Sequence, residues 1–409
     1  MRTIPTVLFL FLAGAAASGG EAPLLLRMGK VFPVAGPPID RGELLIRGKR
    51  IEAVGRDLPV PEGARVVELR DFRAYPGLVD LHCHIAGGGG ELNDVVLPTN
   101  PELRTLEAIV PGHPLLLEAM REGITTVNFI PGSGSNCGGL GTLLKTGGGG
   151  LDRTLVRFPG TLKIAQAWNP ERGGGDLGAS RMGGAWGLRK MLESARHHHE
   201  AWTRWEEKKT GPKPPARPDL DALRGLFRRE FPVIVHTAGA RDVMQTARML
   251  HDEFRLWVVV THGCFNAHLV AGELAKRDLV VNLGPRLFDF TATREGRFFG
   301  IATEFRAAGV KSISIDTDSP VVPQDEFWYQ GAMAVRFGFP EEEALRAVTL
   351  EPARQVGIEG RVGSLAADRE ADVVIKRGSV FEVRDPVEAV LINGEVVHDR
   401  RGLFTRSVR

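Results

Sequence analysis

Beyond its first twenty residues the chain opens with short apolar runs broken by Gly, Pro and Asp. LLLRMGKVFPV, GELLIRG, KRIEAVG and ARVVELR alternate or cluster apolar residues over strand lengths, which predicts β-strands joined by tight turns. The same texture returns near the far end in ADVVIKRG, EAVLING and EVVHD. The two together predict one composite β-sandwich built from both termini; independent end domains are the alternative, but each end alone is too short for a firm hydrophobic core.

Between them the pattern changes. Apolar strand candidates, LVDLHCH, GITTVNFI, GTLLKT, TLKIAQAW, FPVIVHTA, LWVVVTHG, DLVVNLGP and KSISIDTDS, alternate with amphipathic segments such as ARDVMQTARMLHDEF and EEEALRAVTL. Repeated strand-helix units imply a parallel sheet, and eight of them match the size of a (β/α)8 TIM barrel. A doubly wound open sheet is the alternative. No GxGxxG opens a helix, and Gly139 to Thr146 departs from the phosphate-loop pattern because Leu144 precedes Lys145. The expected division is a signal peptide over 1–17, the first part of the sandwich over 18–75, the barrel over 76–363 and the second part of the sandwich over 364–409.

The signal assignment comes from Arg2, the apolar run from Val7 to Ala17 and the small residues Ala15 to Ala17, which together predict export to the periplasm or the cell exterior. The run is shorter than the roughly 20 apolar residues of a spanning helix, so no stable membrane span is expected. Lys and Arg number 52 against 50 acidic residues, a net charge of +2, which offers no electrostatic footprint for nucleic acid and leaves a small molecule as the expected partner. Homo-oligomerisation is left open. Three cysteines, Cys83, Cys137 and Cys264, do not make a disulfide framework, although one bridge is allowed.

Candidate chemistry gathers at the strand ends. In LVDLHCH, side chains two apart share a face, so His82 and His84 project together while Cys83 faces away. Further strand candidates carry Lys163, His236 and His262 at or near their ends, and Asp318 follows the last. In a parallel barrel these ends share one face, where residues distant in sequence converge, and the residue types are those of a metal site. His197, His198 and His199 are expected on a solvated helix face, since consecutive helical residues do not converge. Arg286, Arg172 and Arg181, in segments that follow strands, are candidates to hold a substrate carboxylate, and Trp168 and Trp186 to line an apolar pocket.

With these residues in view the chain resembles the amidohydrolase superfamily, and within it the imidazolonepropionase-like amidohydrolases. PGLVDLHCH, GITTV, TDSP, EALRAVTLEPARQVGI and GRVGSLAADREADVVI stand in the family's order across nearly the whole mature chain. The resemblance implies a TIM barrel with a small β-sandwich, and metal ligands at His82, His84, His236, His262 and Asp318. TLKIAQAW resembles the strand of members whose lysine is carboxylated and bridges two metals, which puts that role on Lys163, with Lys145 as second candidate; Asp316 competes with Asp318. The implied cofactors are zinc or another divalent metal, two per chain, and carbon dioxide or bicarbonate for the carbamate. The implied activity is hydrolysis of C–N bonds in amides, dipeptides or cyclic amides by a metal-activated hydroxide, with Asp318 as general base and acid. A deaminase or isomerase would use the same site, and an exported metal-binding protein without turnover would keep the same fold.

Overall fold

The computed structural model describes residues 22–147, 149–166, 169–171, 180–290, 296 and 298–405. One eight-stranded sheet takes strands from both end regions of the chain. Its strands from the first end are β1 (Leu24–Val31), β2 (Glu43–Arg47), β3 (Arg50–Gly55) and β4 (Arg65–Pro76), with the short strand Ile39–Asp40 beside β1. β4 pairs with β14 (Val373–Lys376) from the far end, which continues into β15 (Val387–Ile392) and β16 (Glu395–Asp399).

Among the described residues the middle of the chain forms two larger sheets and a two-stranded one that pairs Phe288–Phe290 with Phe298–Gly300. One of the larger two includes β5 (Leu78–Cys83), β6 (Ile124–Phe129) and β8 (Thr142–Lys145). The other runs β7 (Cys137–Leu140), β9 (Leu162–Ala165), β10 (Val233–His236), β11 (Val258–His262), β12 (Val280–Leu283) and β13 (Ile313–Ile315). Gly141 alone separates β7 from β8, and a parallel bridge between Cys83 and Ser319 joins the segment after β13 to β5, so the strand order returns to its start. That is the order of a TIM-barrel-type fold rather than of an open sheet.

Sequence dictates these strands directly. VIVH, VVVTH and VVNL are β-branched runs buried on both faces, as internal parallel strands require. Alternate residues divide between two cores. Val79, Leu81, Leu143, Ile234 and Val259 pack together, while Val233, Val235, Val258 and Val260 pack in the cluster that holds Leu192, Val243 and Leu250 of the surrounding helical segments.

The expected all-parallel sheet needs correction at its third position. β8 runs antiparallel to β6, and β7 antiparallel to β9. Residues 130–136 are the whole connection from β6 to β7, and so short a link has no room for the dozen or more residues of a parallel crossover. Among the helices are α1 (Pro114–Arg121), α2 (Arg181–Lys208), α3 (Ala240–Thr246) and α4 (Phe327–Arg336). The ARDVMQTARMLHDEF segment is helical as expected, but α3 passes into a π-helix over Ala247–Glu253. No helix among the described residues is long and apolar enough to cross a membrane.

Candidate metal centre

β5 is buried throughout, and its pairing with β6 is irregular between Asp80 and Cys83. At this end His82 and His84 stand together, ring centroids 5.5 Å apart and edge to face, while Cys83 turns its thiol towards the Asn128 carbonyl. His262 ends β11 with its ring 4.4 Å from that of His82 and 4.5 Å from that of His236, which ends β10. Asp318 Oδ1 lies 3.3 Å from His84 Nε2 and 3.5 Å from His82 Nε2. Lys163 Nζ, on the middle of β9, is 2.8 Å from His82 Nε2. Two overlapping triplets result, His82 with His236 and His262, and His82 with His84 and Asp318, each with its potential ligand atoms within 4.8 Å of one another.

The imidazoles are set up as donors. A ring nitrogen of His84, Nδ1, lies 2.9 Å from the Ile130 carbonyl, and Nδ1 of His262 lies 2.8 Å from that of Gly284; a proton held there leaves each Nε2 free to bind. Nδ1 of His82, Nδ1 of His236 and Nε2 of His262 are buried with no hydrogen-bond partner. Burial pushes His82 and His236 well below the ordinary imidazole range, reinforced by Lys163 and the neighbouring rings, and it also lowers His262 against the pull of Asp318. Neutral imidazoles are the metal-binding form. Burial pushes the Lys163 amine down to about 7, against the carboxylates of Asp318 and Asp316. For Asp318, burial pushes upward, but His262, His84 and Lys163 outweigh it and hold the carboxyl below its ordinary range. His262 and Asp318 both take positive φ, +68° and +52°, a conformation uncommon outside glycine and often found at functional sites. Neutral nitrogens, one ionised carboxylate and orphaned buried donors fit a divalent cation of zinc's class.

A layer of buried polar groups lies behind the donors. Asp316, the competitor for Asp318, accepts from Asn282 Nδ2 at 2.7 Å and keeps its other oxygen 3.9 Å from His262 Nδ1. It stands behind His262, and burial together with Asp80 and Asp318 pushes it well above the carboxylate range. Asp80 is wholly buried and pushed up to about 6 by desolvation. Sequence reasoning missed Asp80, although an acidic residue inside an apolar run and two positions before His82 was a visible signal.

Other candidates fall elsewhere. Lys145 is 2.8 Å from Glu370 and 2.5 Å from Asp372, and its register partner is Thr126 near the start of β6, because β8 is reversed. It sits at the opposite end from the histidines, which excludes it as their bridge. Arg181 pairs with Asp242 and Glu171, so its charge is already engaged. Arg286 stands half-exposed on the segment after β12, over the Phe265 ring and 3.9 Å from Asp289. Arg172 and Trp168 lie outside the described residues, and Trp186 is exposed beside Lys190. All three cysteines are free and buried, so the allowed disulfide does not form. His198 departs from the solvated face expected for 197–199: it is buried, 2.7 Å from Asp221.

The Amidohydrolase family profile matches residues 292–397. The chain is 24% identical to amidohydrolase tasK of Hapsidospora irregularis over 93% of this chain and 44% of that protein. It is 28% identical to an imidazolonepropionase of Klebsiella pneumoniae (strain 342) over 32% of this chain and 38% of that one. The chain thus spans less than half the length of these curated relatives. An amidohydrolase from Thermotoga maritima MSB8 has a similar structure, with a TM-score of 0.82 and 27% identity over 92% of this chain and all of that one. The structural likeness covers nearly the whole chain, and with the profile match over 292–397 the chain is similar to amidohydrolases in both sequence and fold.

Proposed function

We propose that this protein is a metal-dependent hydrolase of carbon–nitrogen bonds in small molecules, a class that takes in amide cleavage and deamination. The observation that carries the reading is the convergence of four histidines, Asp318 and Lys163 at one set of strand ends, with three buried ring nitrogens lacking partners. Residues 18–75 and 364–409 then form the composite sandwich beside a barrel of 76–363, and the first 17 residues direct export.

His82, His84, His236, His262 and Asp318 would hold the metal, and Lys163 would complete a two-metal site as a carbamate. Its ammonium gives up one proton, and the neutral amine then adds to carbon dioxide and loses a second, turning a cation that repels metal into a two-oxygen anion. A divalent zinc held by these residues would supply Lewis acidity, lowering the pKa of water and polarising the scissile group. Asp318, ionised at neutral pH, accepts the proton of the attacking water and returns it to the leaving nitrogen. Arg286, exposed on its segment, is available to orient a substrate carboxylate.

The deciding experiment combines metal analysis with a hydrolysis screen of N-acyl amino acids, Xaa-Pro and other dipeptides, and cyclic amides. Native protein is expected to hold two zinc ions and to turn over at least one class. Asp318→Asn should lower kcat by about a hundredfold or more. Lys163→Ala should lose the second metal, and apo-protein should regain it slowly in degassed buffer and faster with bicarbonate. Bound metal with no turnover anywhere in the screen would favour a binding protein of the same fold.

A further inference from the structure

The segments that carry His82, His84 and Asp318 adjoin where the strand order closes, yet among the described residues their regular backbone pairing amounts to the single bridge between Cys83 and Ser319. What joins them is a side-chain network. Asp80 Oδ1 accepts from the backbone N–H of His82 at 3.0 Å. Its Oδ2 accepts from Thr317 Oγ1 at 2.6 Å and from Gln324 Nε2 at 2.9 Å. Thr317 Oγ1 in turn accepts from the backbone N–H of Ser319 at 3.0 Å, and Gln324 Nε2 also reaches it at 3.0 Å. The His84 N–H donates to the Ser319 carbonyl at 2.7 Å, closing the circuit.

We propose that Asp80, Thr317 and Gln324 are positioning residues, a buried clamp that sets the spacing between the His82/His84 pair and Asp318. None of the three is among the ligands, and all are buried. The clamp holds backbone on both sides: His82 on one, Thr317 and Ser319 flanking Asp318 on the other. Removing one hydroxyl deprives Asp80 of a donor and the Ser319 N–H of its acceptor, so both ligand segments gain freedom at once. Gln324 belongs to the short helical turn Gln324–Glu326 before α4, which ties that helix to the same point. The inference rests on the reading of the cluster as a metal site.

The test uses zinc alone, with affinity measured by competition against a chromophoric chelator and ligand geometry by the visible spectrum of the cobalt-loaded protein. Thr317→Val is close to isosteric and should weaken zinc about ten- to hundredfold and alter the cobalt spectrum, as losses behind a metal ligand do. Thr317→Ser restores the hydroxyl and should recover affinity to within about threefold. Gln324→Met, which removes one donor and keeps Thr317, provides a second arm if the valine variant does not fold, with an expected weakening of about three- to tenfold. Folded variants that melt earlier yet bind zinc like the native protein, with an unchanged cobalt spectrum, overturn the clamp while leaving the metal site intact. Equal losses in Thr317→Val and Thr317→Ser also overturn it. Native protein that takes up no zinc overturns both the clamp and the reading beneath it.

Discussion

Three lysines are buried among the described residues, and their surroundings give them different roles. Lys145 faces two carboxylates, Lys163 faces an imidazole, and Lys376 donates to the Val380 carbonyl at 2.9 Å with its ammonium 4.5 Å from the Trp328 ring centroid. Burial pushes Lys376 down to about 8, against the pull of Asp385 and Glu122. Below about pH 8 it is protonated in both folded and unfolded chains, and the cost of burying the charge is fully present. Between 8 and the unfolded value near 10.5 the unfolded chain binds more protons, so folding stability rises with pH. Lys376→Met should therefore be more stable relative to native at pH 7.5, and the gap should shrink by on the order of 3 kcal/mol as pH approaches 10.5. Urea unfolding at the two pH values checks this, and a gap independent of pH would contradict it.

At the scale of elements, function is concentrated where strands stop. Gly284, just beyond β12, accepts the His262 Nδ1 contact through its carbonyl, and a Cβ at this position would lie 2.2 Å from the Asp316 carbonyl oxygen and 2.6 Å from Asp316 Oδ1. Neither β11 nor the segment after β13 can give way without moving His262 or Asp316. Gly284→Ala should cost about 2 kcal/mol or more of stability and weaken zinc binding. Chemical denaturation and a zinc titration test both parts; stability within about 0.5 kcal/mol of native would show that the segments relax. The same scale explains the error at the third position. A strand-like run is legible as a strand, but its direction depends on the length of the link before it, and the link after β6 is too short for a crossover.

For the molecule as a whole, the joint between the barrel and the end sheet is electrostatic as well as apolar. Lys145 on β8 meets Glu370 and Asp372, Asp372 also accepts from Thr125 Oγ1 at 2.9 Å and from the Asn393 N–H at 3.0 Å, and Arg361 meets Glu370. Lys145→Met leaves buried carboxylates without their shared cation and should cost about 3–5 kcal/mol, with zinc content unchanged because the cluster lies at the other end. Zinc loss in a Lys145→Met protein of native stability would reverse the roles assigned to Lys145 and Lys163.

The strands and the residue types at their ends were legible in the sequence, because alternation and β-branched runs are local properties. So was the pairing of His82 with His84, which follows from side-chain geometry on one strand. Strand-end position and family order together pointed to His236, His262, Lys163 and Asp318, and the tertiary structure brings them to one point. Only that structure separated Lys145 from Lys163 and Asp318 from Asp316, since strand direction and the depth of a carboxylate depend on contacts far away in the chain. Only it showed that Asp80 reaches Thr317 and Gln324, 237 and 244 residues distant. Residue types and local period are written along the chain; which buried polar group meets which is decided when the strands close on one another.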